Sequence, residues 1–183
     1  MILQNERYKV TISIDEMYTV GSTDNMYYDV VLNPKKLQHY DIYKVFRIEV
    51  DNEKEVVRIA LVGDFFSYTK DCAILDEHVL TILQNNIVCQ INLQTNSLSR
   101  HSEFECFGCN FGIHKTNEGY IIYGEMEITM LDWNFCKKWS FSGRDIFVSH
   151  TDKKAFEICA DRIKLYDWEE NYYEIDFSGK LLR

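Results

Sequence analysis

The residues with the clearest chemical potential lie at His101-x4-Cys106-x2-Cys109-x4-His114. Two thiolates two residues apart, with an imidazole on either side, could hold zinc tetrahedrally. The spacing matches no known zinc finger, and the chain has one Cys-x2-Cys pair only. The expectation is a loop carrying two small, half-buried thiols, with no metal and no cofactor. Paired carboxylates occur at Asp15-Glu16, Asp76-Glu77 and Glu169-Glu170. General acid–base chemistry needs two carboxyls in one cleft with separated pKa values, whereas adjacent turn residues point apart. Thr23-Asp24-Asn25 is too thin for a calcium loop. There is no Gly-x-Ser-x-Gly elbow and no glycine-rich phosphate cradle. The cysteines lack basic neighbours that would lower a thiol pKa, apart from Cys136 before Lys137-Lys138. No catalytic residue is expected, and the chain reads as a non-enzyme.

The elements that would position these residues are strands. Tyr8 to Ile14, Val45 to Val50 and Ile163 to Tyr166 alternate apolar and polar residues and are bounded by Asn, Asp and Gly. That is the pattern of half-buried strands. One short helical turn is expected near Pro34 to His39. Self-similarity is plainer than any motif. Ile128-Thr129-Met130-Leu131-Asp132-Trp133 matches Ile163-Lys164-Leu165-Tyr166-Asp167-Trp168 at a spacing of 35 residues. Phe141-Ser142-Gly143 recurs as Phe177-Ser178-Gly179. Val88 to Leu93 and Val45 to Val50 have the same form further back. Strands are expected before each copy, at Tyr8–Ile14 and Tyr27–Leu32, Cys72–Leu75 and His78–Ile82, Phe111–His114 and Tyr120–Tyr123, and Ile146–Ser149 and Ala155–Ile158.

Four strands per unit at this period resemble the blades of a β-propeller. Ile-Asn-Leu, Leu-Asp-Trp and Tyr-Asp-Trp close the third strand as in WD-type repeats, although the Gly-His pair of that family is missing. The resemblance implies an all-β, four-bladed β-propeller-like chain with about four antiparallel strands per blade. It would be a single domain, 1–183, with units at about 1–71, 72–110, 111–145 and 146–183. Trp133 and Trp168 would pack between blades, and Asp132 and Asp167 would satisfy amides at strand ends.

The chain has 183 residues with 20 Lys+Arg and 29 Asp+Glu, a net charge of −9. One proline and 14% aromatics exclude Pro-rich, collagen-like and disordered classes. The acidic balance argues against direct nucleic-acid binding. The first residues lack a signal-peptide pattern, and no apolar run approaches the roughly 20 residues of a membrane span. Dispersed cysteines beside apolar neighbours read as reduced. A cytoplasmic protein that engages no membrane is expected.

The charge is spread along all four units, without an acidic tail, and would steer a basic partner. Aromatics flanked by acids occupy two links between units, Gly63 to Asp71 and Ser102 to Gly108. Asp64, Phe65, Phe66, Tyr68, Asp71, Glu103, Glu105 and Phe107 are the candidate partner-binding residues. In profile the chain resembles bacterial immunity proteins that neutralise nuclease toxins, such as those of contact-dependent growth inhibition. That resemblance implies a basic protein partner, a nuclease toxin domain whose cleft the acidic loops would block. The alternatives are a generic peptide-docking scaffold, and a small hydrolase or lyase using His114, His150 or Glu157 at the propeller axis.

Overall fold

Alternation turns every second side chain of a strand to one face, and the chain uses this in sixteen strands without a single α-helix. The computed structural model describes residues 1–183. The chain divides into two compact units, residues 1–103 and 104–183, each holding two sheets. No helix is long and apolar enough to cross a membrane.

The first unit begins with β1 (Ile2–Gln4), β2 (Lys9–Ile14), β3 (Val30–Leu32), β4 (Lys44–Asp51) and β5 (Val56–Gly63). Their order is β1-β2-β4-β5-β3, and every pairing is antiparallel except β3 on β5. Without β3 this is a four-stranded meander with Val45 to Val50 as its third strand, the place that the repeat assigns it. The expected strand at Tyr27–Leu32 is not the second of the set. Thr23–Tyr27 forms a 3-10 turn in which Ser22 accepts the Asp24 amide. Only Val30–Leu32 extends, and it adds to the far edge. Pro34 to His39 is not helical either, because Asn33 holds both the amide and the carbonyl of Leu37 in a turn. β6 (Ala73–Asp76), β7 (Val79–Gln84), β8 (Ile87–Asn92) and β9 (Ser97–Glu103) form the second sheet, a simple meander.

The first sheet is apolar across one face and over part of the other. Val10, Ile12, Phe46, Ile48, Ile59 and Leu61 share one core with Leu80, Ile82, Cys89 and Ile91 of the second sheet. The residues between them, Val45, Ala60 and Val62, are covered by Tyr18, with Val20, Tyr28, Leu37 and Tyr43 packed alongside. The β2–β4 connection supplies the cover for this second, smaller apolar area.

In the second unit β10 (Asn110–Lys115), β11 (Tyr120–Gly124), β12 (Ile128–Leu131) and β13 (Lys137–Phe141) form a four-stranded meander. β14 (Phe156–Ile158), β15 (Ile163–Tyr166) and β16 (Tyr172–Ile175) form a three-stranded one, extended by a bridge from Ile175 to Leu181. Ile146–Ser149, expected as a strand, is not in a ladder. Its backbone is claimed elsewhere, with the Phe147 amide on Glu125 O at 2.6 Å and Ile146 O accepting from the Trp168 amide at 2.8 Å. Phe147 is nonetheless fully buried, in a core with Ile121, Ile128, Met130, Ile163, Leu165 and Ile175.

The repeated strand ends are one physical device. Asn92 Oδ1 accepts the Gln94 amide, Asp132 Oδ1 those of Asn134 and Cys136, and Asp167 Oδ1 that of Asn171. Asp176 Oδ1 does the same for Ser178 and Lys180. A side-chain oxygen that takes up turn amides holds the hairpin closed. Trp133 and Trp168 do not wedge between sheets as expected. They stand on these turns, 41% and 45% exposed, Trp133 edge-on to Tyr120 and Trp168 against His150.

Gly119 closes the β10–β11 hairpin at φ +143°, and a Cβ there would lie 2.0 Å from Leu131 O. Gly119→Ala should cost about 3 kcal/mol, read as a lower urea midpoint at unchanged slope. An unchanged midpoint would show that the hairpin can move aside.

Candidate protein-binding surface

The link after β5 is irregular and turns its two adjacent phenylalanines opposite ways. Phe65 turns outward, 47% exposed, with the Lys44 ammonium 5.5 Å from its ring centroid. Phe66 turns inward and corrects the expectation that it belongs to a surface. It is 1% exposed and stacks on Phe46 at 4.0 Å, closing the end of the core. Tyr68 is partly exposed, and its hydroxyl donates to Ile12 O at 2.6 Å and accepts from the Met1 ammonium. Asp71 is half-buried, its amide on Thr69 Oγ1.

Lys35 gathers two of the candidate acids. Its ammonium lies 2.7 Å from Asp64 Oδ2 and 3.4 Å from Glu103 Oε1, the latter at the end of β9. Burial opposes the charge on Lys35, but the two carboxylates more than offset it and hold its pKa above the ordinary value. Burial likewise works against the Asp64 carboxylate, and Lys35 with the Phe65 amide outweighs it, keeping the carboxyl low.

Glu105 and Phe107 belong to the second unit. There Glu127, with a side chain only 3% exposed, pairs with Lys137 at 3.1 Å. Lys137 also donates to Glu105 O, and Glu127 Oε1 accepts the Phe107 amide at 3.3 Å. This buried pair clamps the 104–110 loop by its backbone. Phe104 is buried beneath it, while the Phe107 ring stands 73% exposed and Glu105 is exposed.

The other candidates have local neighbours. His101 lies in β9 of the first unit, whereas Cys106, Cys109 and His114 lie in the second, where His114 packs on Phe156 at 5.0 Å. All six cysteines are free, and no three His, Cys, Asp or Glu side chains form a group that could hold a metal ion. Burial pushes the Cys72, Cys89, Cys106 and Cys109 thiols up, Cys89 to about 12. Asp15, one of the paired carboxylates, accepts the amides of Met17 and Tyr18 and the Tyr28 hydroxyl. Glu170 pairs with Lys153 at 3.0 Å, and Glu157 lies 3.7 Å from Lys154. Two open hollows, of about 350 and 280 Å³, carry no Cys, Ser or His among their lining residues.

Sequence reasoning missed the β2–β4 connection, residues 15–43, which leaves Met17, Met26, Tyr40 and Ile42 exposed. The available signal was composition: five tyrosines and two methionines in a stretch that fails to alternate.

No family model and no curated protein matches the chain. Among solved structures it is similar to BamB from Moraxella catarrhalis, at 10% identity over 78% of this chain and 46% of that one, with a TM-score of 0.49. It is also similar to Hsv2 from Kluyvelomyces marxianus, at 10% identity over 82% and 48%, with a TM-score of 0.45. The chain spans less than half the length of either.

The Lys35 bridge has a defined pH window. The depressed Asp64 pKa contributes stability above about pH 4 that is lost as pH falls through its folded value. The raised Lys35 pKa contributes below about pH 10.4 and fades as pH rises through its folded value. Lys35→Met should return the Asp64 carboxyl toward about 4 in an NMR titration. Asp64 is more than a third exposed and therefore screened, so the loss of stability should be about 0.5–1 kcal/mol. A titration curve that does not move would remove Lys35 as the cause.

Proposed function

We propose that this protein is a non-enzymatic binding module that caps a basic protein, and that the partner is a nuclease toxin domain. It would then act as an immunity protein of the contact-dependent growth inhibition type, in the cytoplasm. The observation that carries this reading is the outward presentation of aromatic rings beside acids. Phe65 and Tyr68 stand exposed between Asp64 and Asp71, and Phe107 beside Glu105. Aromatic anchors supply contact area at little entropic cost, and surrounding acids select a basic partner and speed its approach. Carboxylates set into a phosphate-binding cleft would take the place of the nucleic-acid backbone and exclude substrate. The Cys72, Cys89, Cys106 and Cys109 thiols, raised by burial, are poorer nucleophiles than an ordinary cysteine, which favours binding over catalysis at them.

The test is titration of a panel of basic toxin nuclease domains with the full chain. One domain should bind with nanomolar affinity, lose its nuclease activity at a one-to-one ratio, and bind more weakly as salt rises. Phe65→Ser or Glu105→Lys should each weaken that complex about tenfold or more. Binding that is indifferent to salt would favour the peptide-docking scaffold instead. Failure to bind any domain would overturn the reading.

A further inference from the structure

We infer that residues 15–43, the connection between β2 and β4, form a docking surface for a basic, amphipathic segment of the partner protein; this rests on the basic-partner reading above. Single exposed apolar residues are ordinary on any protein. Here, however, the four most exposed large apolar side chains of the whole chain fall in one connection. Met26 is 91% exposed, Ile42 90%, Met17 88% and Tyr40 75%.

Folding does not need them there. The connection packs onto Val45, Ala60 and Val62 through Tyr18, Val20, Tyr28, Leu37 and Tyr43. It is tied down further by Tyr27, whose ring lies under the guanidinium groups of Arg47 and Arg58 at 4.4 and 4.9 Å and whose hydroxyl donates to Glu49. The outward residues lie outside both anchors.

Charge identifies the occupant. The connection holds Asp15, Glu16, Asp24, Asp29 and Asp41 against Lys35 and Lys36 alone. Lys35 is occupied by Asp64 and Glu103. Each exposed apolar residue has an acid within two positions: Glu16 precedes Met17, Asp24 comes just before Met26, and Asp41 lies between Tyr40 and Ile42. Flexible thioethers and a tyrosine among carboxylates suit a segment in which Lys or Arg alternates with Leu, Ile or Met.

The experiment uses the full chain and a fluorescein-labelled helical peptide of Lys and Leu, read by anisotropy, with a Gln/Leu peptide of the same pattern as control. Met17→Ser, Met26→Ser and Ile42→Ser combined should leave thermal stability unchanged, since all three side chains are exposed. The triple variant should lose about tenfold or more in affinity for the Lys/Leu peptide, whereas Phe65→Ser should leave it unchanged. If Phe65→Ser weakens binding and the triple variant does not, the connection is not the docking surface and the basic-partner reading survives. Equal binding of the Gln/Leu peptide, or sedimentation of the protein with phosphatidylcholine vesicles in place of peptide binding, overturns the assignment. If neither the Lys/Leu peptide nor any basic nuclease domain binds the unaltered chain, both readings fall together.

Discussion

A meander is only as regular as its turns, and here the turns depend on an oxygen-bearing side chain at the strand end that takes up the amides following it. Asn92, Asp132, Asp167 and Asp176 all perform this function. Asp167 shows the strength of the arrangement. It is 1% exposed, and burial alone would push its carboxyl up, yet Asn171 and the Tyr173 hydroxyl hold it low. The constraint reaches the backbone as well. Phe135, Glu170 and Gly179 each sit three residues after their aspartate with positive φ, and each donates its amide to that aspartate's carbonyl. Glycine adopts that conformation freely, whereas Phe and Glu do so against their preference. The hydrogen-bonded turn evidently outweighs the local cost.

This device is why much of the fold was legible. The recurrence of Leu-Asp-Trp and Tyr-Asp-Trp marks two turns in which the aspartate takes up the amides that follow. Of the strands before them, β15 alternates as a half-buried strand must, while β12 is buried throughout. The all-β, blade-like reading of the sheets follows from those two signals. What the aromatic after the aspartate does was not legible. Trp133 and Trp168 are hydrophobic enough to suggest burial, but the turn sets its second residue outward, and sequence period carries no such direction. Ile146–Ser149 failed for another reason. Phe147 is buried as a strand residue would be, with Ile146 and Val148 half-buried, but Glu125, Tyr123 and Trp168 take the backbone groups of this segment before a ladder can. Hydrophobicity predicted that burial and could not predict the partner.

The candidate surface divides in the same way. Phe65 is exposed and Phe66 buried although they are neighbours in an irregular link beyond the end of β5, where no periodicity assigns a side chain to one face. Lys35 lies far from Asp64 and Glu103 in sequence, and only the parallel addition of β3 to β5 brings it near Asp64. The connection that carries β3 was plain as an interruption of the repeat and silent as to purpose. Its tyrosines divide between covering the second face of the sheet and facing solvent, and no periodic pattern separates the two groups.

Net charge acquires a location once pairing is known. Lys35, Arg47, Lys137, Lys138, Lys153 and Arg162 all lie within salt-bridge distance of acids in their own unit. The exposed pairs among these contribute little to stability, but each one cancels a positive charge that would otherwise soften the field of the surface around it. The excess therefore rests with acids outside such pairs, among them Glu16, Asp24, Asp71 and Glu105. These same residues flank the exposed apolar side chains of the β2–β4 connection and of the two aromatic links. An approaching basic protein would be drawn by unpaired charge toward the places where apolar contact area is already exposed, so that encounter and anchoring are served by neighbouring residues.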